Sequence, residues 1–154
     1  MEHYVLGSLL FTLLLGLLLF RKMFQSRKLF SDRFGMIVAT TYSGVFNFSI
    51  GMYLYLLLPD YAEFISCVVV IIGGGSGVII GSIVKFHSVI AGFFHGTVGA
   101  LMGMMLGVVV YNPSLCRLPA VNEVMLNQSI IVLSSFISFL TVSTLGLLYY
   151  SFKV

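Results

Sequence analysis

Charge is scarce in this chain, and little of it lies where it could do chemistry. Only 8% of the 154 residues are Asp, Glu, Lys or Arg, against about 25% in an ordinary soluble domain. The long apolar stretches contain no acid and no arginine, which leaves nothing to carry a coupling ion or hold an anion inside a membrane. Paired carboxylates within a stretch, H-E-x-x-H, C-x-x-C and a serine elbow are all missing. Neither an enzyme nor a resident cofactor is expected. Cysteine is scarce too. Cys67 and Cys116 are too few for a disulfide framework, and a single bridge between them needs an oxidising compartment. Unbridged, Cys67 reads as a small apolar filler.

What the chain has instead is hydrocarbon. Hydrophobic residues make up 59% of it. Crossing about 30 Å of lipid takes roughly 17–25 helical residues at about 1.5 Å each. Five windows are long enough: 4–20, 35–58, 64–84, 88–111 and 129–150. Too little chain remains for a soluble domain. The expectation is one all-α membrane domain over residues 1–154, a polytopic bundle of five transmembrane helices. The first window is not expected to be a cleaved signal, because its positive charge follows the apolar core.

Orientation follows from charge. With the N-terminus outside and the C-terminus inside, Arg21, Lys22, Arg27, Lys28, Arg33, Lys85 and Lys153 fall on the inner side and only Arg117 outside, as the positive-inside rule requires. Glu2, Asp60, Glu63 and Glu123 fall on the outer side. The net charge of +3 thus reflects topology, and no basic patch with interleaved aromatics suggests nucleic acid. The segment from Arg21 to Arg33 reads as a loop against anionic headgroups, each base adding about 1 kcal/mol. The long outer connection opens at Asn112-Pro113 and breaks at Pro119; within it Val121, Val124, Met125 and Leu126 read as a short interfacial helix.

The third and fourth windows carry glycine at helical spacing. Gly73, Gly77 and Gly81 recur every four residues; Gly92, Gly96, Gly99, Gly103 and Gly107 recur at four, three, four and four. Such stripes bring helix backbones into contact in a bilayer, where close packing rather than hydrophobicity drives association. A short inner turn joins the two windows, so an antiparallel hairpin with facing glycines is expected. The dense run over 73–77 should stay helical, because no water competes for its backbone.

At about 100° per residue, His95 and Met102 share a line beside the glycine face, with Met105 further round. An ionisable group at this depth is costly unless it faces the bundle interior, a cavity or a partner. Imidazole and thioether also suit a soft ion such as Cu(I). His95, Met102 and Met105 are therefore candidate metal ligands, the plainer alternative being packing methionines and a hydrogen-bonded histidine. His95 and Asn47, an amide near the bilayer centre, are candidates for a polar or transport site. Thr40, Gly44, Asn47 and Gly51 share one face of the second window. Ser134, Ser138 and Thr141 share one face of the fifth, where hydroxyls commonly bond back to their own helix.

The Gly35-Met36 opening of the second window, with the stretch Gly-Ala-Leu-Met-Gly-Met-Met-Leu-Gly from Gly99 to Gly107, resembles a group of small glycine- and methionine-rich membrane proteins of bacilli over about residues 35–107. The resemblance implies a bacterial plasma-membrane setting and brings no activity with it. Copper permeases are similar only in mixing methionine with glycine spacing; their methionine pairs at i and i+4 are missing here. The leading expectation is a small non-catalytic subunit or accessory protein that sits in the lipid bilayer. It packs by glycine-lined helices with itself or another membrane protein. The alternative is a permease or channel for a small solute or a soft metal ion such as copper, using His95 and nearby methionines.

Overall fold

The computed structural model describes residues 2–26, 32–83, 86–113 and 123–151. All regular structure among them is helical: α1 (Glu2–Ser26), α2 (Asp32–Leu57), α3 (Ala62–Ser82), α4 (Phe86–Tyr111) and α5 (Glu123–Ser151). A 3-10 turn at Pro59–Tyr61 joins α2 to α3, and proline opens it where a missing N–H costs nothing. The glycine run of α3 is continuous helix.

Four segments are long and apolar enough to cross a membrane: His3–Gln25, Pro59–Ser82, Phe86–Tyr111 and Met125–Ser151. The helix α2 is not among them, although its 26 residues reach about 39 Å at 1.5 Å each. Thr40, Thr41, Ser43, Asn47 and Ser49 interrupt its apolar character.

Several boundaries differ from expectation. The helix α1 does not stop near residue 20 but runs through Arg21 and Lys22 to Ser26, since long basic side chains at a helix end extend towards the headgroups and keep their charge in water. The helix α5 starts at Glu123, not near residue 129. Val124, Met125 and Leu126 therefore belong to its first turn rather than to a separate interfacial helix, because no Gly or Pro separates them from the apolar run. Cys67 is exposed on α3 rather than buried. Cys116, Arg117, Pro119 and Val121 lie outside the described residues, as do Arg27, Lys28, Lys85 and Lys153.

The helix α2 forms the middle of the bundle. Each of the three apolar clusters is built around it: Val38, Ala39 and Tyr42 with Leu19, Ile80 and Leu145; Met52 and Tyr53 with Val5, Ile130 and Ile137; Tyr55 with Ile65, Val69, Ala100 and Met104. The pair α1–α5 docks on one side and the hairpin α3–α4 on the other, while α4 and α5 barely meet. Successive helices alternate in direction. Gly77 opposes Gly92 and Gly81 opposes Ser88 in the antiparallel hairpin, whereas Gly44 with Gly99 and Phe48 with Gly103 make α2 and α4 parallel neighbours. Arg21, Lys22 and Arg33 therefore gather at one end, and Asp60 and Glu63 at the other. At the basic end Lys22 Nζ lies 3.6 Å above the ring of Tyr149, tying α1 to α5.

Candidate functional site

The glycines of α4 serve two partners. Ser88, Gly92, Gly96 and Ala100 face Gly81, Gly77 and Gly73 of α3. Gly99, Gly103 and Gly107 face Gly44, Phe48 and the Met52–Tyr55 turn of α2. The three-residue step from Gly96 to Gly99 is where the stripe changes neighbour. Contact is backbone to backbone: a methyl group at Gly73 would lie 2.6 Å from the Gly96 carbonyl oxygen, and one at Gly99 2.5 Å from that of Gly44. On the other side, Gly16 of α1 leaves room for the Phe46 ring. Close approach replaces the hydrophobic force that lipid cancels.

Polar side chains of α2 tie down the remaining helices. The Tyr42 hydroxyl donates to the Gly16 carbonyl on α1 at 2.7 Å. Asn47, fully buried, accepts from Ser76 Oγ of α3 at 2.8 Å and donates to its own Ser43 carbonyl at 2.8 Å. Its amide also packs beside Gly96, so it stands where α2, α3 and α4 converge. Towards α5, Ser49 and Thr141 hydroxyls lie 2.7 Å apart, and the Tyr53 and Ser138 hydroxyls 2.8 Å apart. Ser138 and Thr141 also bond back to the carbonyls of Ser134 and Ile137, the local pattern their spacing suggests.

His95 lies elsewhere. It is exposed, and with Met102 it lines a groove of about 500 Å³ on the flank where α4 and α5 separate. Thr40, Thr41, Gly44, Val45 and Phe48 of α2 form one wall, and Phe94, Val98 and Gly99 of α4 and Leu140 of α5 complete it. The glycine contact of Gly44 with Gly99 is its floor, small residues on both helices leaving the space above them open. Nδ1 of His95 is held 3.0 Å from the Ala91 carbonyl, and the neighbouring Phe94 ring stands edge-on at 5.6 Å. A second cleft of about 630 Å³ opens on the same flank, lined by Val110 of α4 and by Met125, Gln128, Ser129, Val132, Leu133 and Phe136 of α5.

The sequence-derived candidates are thus divided. His95 and Met102 share the groove, separated by two helical turns, or about 10.5 Å of rise. Met105 is exposed and not part of the lining, and Asn47 belongs to the closed seam. Among the described residues no group of three His, Cys, Asp or Glu could hold a metal ion. Gly16, Tyr42, Ser49, Tyr53 and Ser76, which the sequence did not single out, make interhelical contacts. The only hint of them was that hydroxyls cluster in the least apolar long stretch. No family, curated protein or solved structure matches this chain.

Proposed function

We propose that this is a five-span, multi-pass protein of a bacterial plasma membrane, N-terminus outside and C-terminus inside, which acts without catalysis as a subunit or accessory factor. Its partner is a further transmembrane helix, from a copy of itself or from a larger complex, packed on the α4–α5 flank. The observation that carries this reading is the separation of α4 from α5 and the cleft of about 630 Å³ beside Val110 and Val132. The glycine lines are engaged inside the chain, so the partner surface proposed here is that flank. Treating α2 as a span rests on its length and on the alternation of helix direction. The plasma-membrane setting rests on the resemblance to the proteins of bacilli, and the orientation on the basic end.

Native mass spectrometry of the protein drawn gently from its own membrane tests the reading, with Val132→Trp as the variant that fills the cleft. A defined complex that Val132→Trp reduces to a monomer, with unchanged melting, is expected. A monomeric wild type, or a complex indifferent to Val132→Trp, refutes it. Metal analysis of the same sample serves the alternative. Stoichiometric copper lost in His95→Ala would instead make the groove shared by His95 and Met102 a metal-handling site.

A further inference from the structure

The groove has a hydrogen-bonding polarity of its own. The Ala91 carbonyl beside His95 Nδ1 can only accept, so in the neutral ring Nδ1 carries the proton and Nε2 is a lone-pair acceptor. No partner for Nε2 occurs among the described residues. Two hydroxyls share the lining, Thr41 and Thr40, the second donating to its own Ile37 carbonyl at 2.9 Å. Val45, Phe48, Phe94, Val98, Met102 and Leu140 make the rest of the lining almost wholly apolar.

Depth makes that acceptor consequential. At 1.5 Å per residue, Thr40 and His95 stand about 12 and 13.5 Å from the starts of α2 and α4, and Phe48 and Met102 about 24 Å. The groove therefore sits at mid-height and opens sideways, where hydrocarbon offers no water to satisfy Nε2. An acceptor so placed calls for a donor on an apolar body, and about 500 Å³ is within the range that binds a small lipid-like molecule.

We propose that this groove binds a membrane-soluble alcohol or phenol, entering sideways from the lipid, whose hydroxyl donates to His95 Nε2. The apolar body lies along Phe48, Val98 and Met102, which makes Met102 a wall rather than a ligand. Quinones, ethers and esters, which only accept, gain no hydrogen bond from Nε2. A single chain carries the whole groove, so the inference concerns the unassembled protein; a helix packed on the α4–α5 flank would compete with the ligand for its mouth.

The test uses single protein molecules in phosphatidylcholine nanodiscs with 4-dodecylphenol and its methyl ether as matched probes. The phenol is expected to bind roughly three- to tenfold tighter than the ether, the effect of one net hydrogen bond. His95→Phe, which keeps the bulk and loses the acceptor, should remove the preference without changing the melting temperature. In histidine-labelled wild type the Nε2 resonance should move with the phenol and not with the ether, a readout free of any variant. Equal binding of the two probes, a preference that survives His95→Phe, or an unmoved Nε2 resonance overturns the proposal. Displacement by decylubiquinol, geranylgeraniol or dioleoylglycerol then identifies the source of the hydroxyl, and failure of all three to displace the phenol overturns a lipid ligand.

Discussion

Gly75 and Gly77 stand two residues apart on α3 in opposite surroundings, and alanine at each isolates the worth of the glycine seam. A methyl group at Gly75 meets nothing within 4 Å. At Gly77 it would run into the Gly92 carbonyl, with the carbonyl carbon 2.7 Å away and Phe93 Cα at 3.1 Å. These are backbone atoms and cannot swing aside as a side chain would. The hairpin must part by roughly 1 Å, and a gap of that size forfeits a quarter to a half of each dispersion contact along the seam. Overpacking of this kind costs about 1–3 kcal/mol. Both variants gain up to about 1 kcal/mol from replacing glycine in a helix, less if the helices persist when the bundle comes apart.

Gly75→Ala should therefore lie between unchanged and about 1 kcal/mol more stable, and Gly77→Ala about 1–2 kcal/mol less stable than wild type. A difference near 2 kcal/mol is roughly a thirtyfold ratio of folded to unfolded protein. Reversible unfolding in mixed detergent micelles, followed by tertiary fluorescence or circular dichroism, measures it. If Gly77→Ala is as stable as Gly75→Ala, the backbone contact between α3 and α4 is not what holds the hairpin.

Ser76→Ala should cost about 0.6 kcal/mol, the mean for an intramembrane hydrogen bond, and Asn47→Ala more, because it also opens a cavity in a fully buried site; the same unfolding assay ranks them, and a larger loss in Ser76→Ala would contradict the assignment. Tyr53→Phe combined with Ser138→Ala in a double-mutant cycle should give a coupling of about 0.6–1.7 kcal/mol across the α2–α5 contact, and a coupling of zero would mean the 2.8 Å hydroxyl pair contributes nothing. With Cys67 and Cys116 replaced by serine, a membrane-impermeant maleimide should label Asp60→Cys in intact cells and Gln25→Cys only after permeabilisation. The reverse pattern would invert the proposed topology.

The helical hairpin was legible because its cause is periodic. Four-residue glycine spacing on two neighbouring stretches has few other physical uses in lipid. The division of the second stripe was not legible: the step from Gly96 to Gly99 reads as a small irregularity until α2 and α3 are seen on either side of it. The polar anchors were half legible. The spacing of Asn47 and of the Ser134–Thr141 face placed each on one side of a helix, but one sequence does not say which helix lies opposite. Tyr42 and Tyr53 gave no signal, since a tyrosine in a membrane helix serves equally as an interfacial ring. The groove was invisible for a different reason: it depends on how far α4 stands from α5, a distance set by the docking of both on α2.

The central position of α2 follows from the same physics that makes it the least apolar helix. Hydrocarbon leaves each amide and hydroxyl to find a partner in the protein, so a helix that carries Tyr42, Asn47, Ser49 and Tyr53 along its length is best placed where neighbours stand on both sides. Tyr42, Asn47, Ser49 and Tyr53 meet α1, α3 and α5 in turn, and glycine brings α4 close enough to complete the shell. By that rule His95 Nε2 is an exception, as is the buried Oγ of Ser134, which has no partner among the described residues. Shifting His95 one position along α4, to Gly96, would have turned it towards Asn47 and Gly73; where it stands, it lines the groove between α2, α4 and Leu140 of α5. Broken local rules tend to mark function, and at His95 the break falls on an acceptor beside an apolar groove rather than on a charge in a seam.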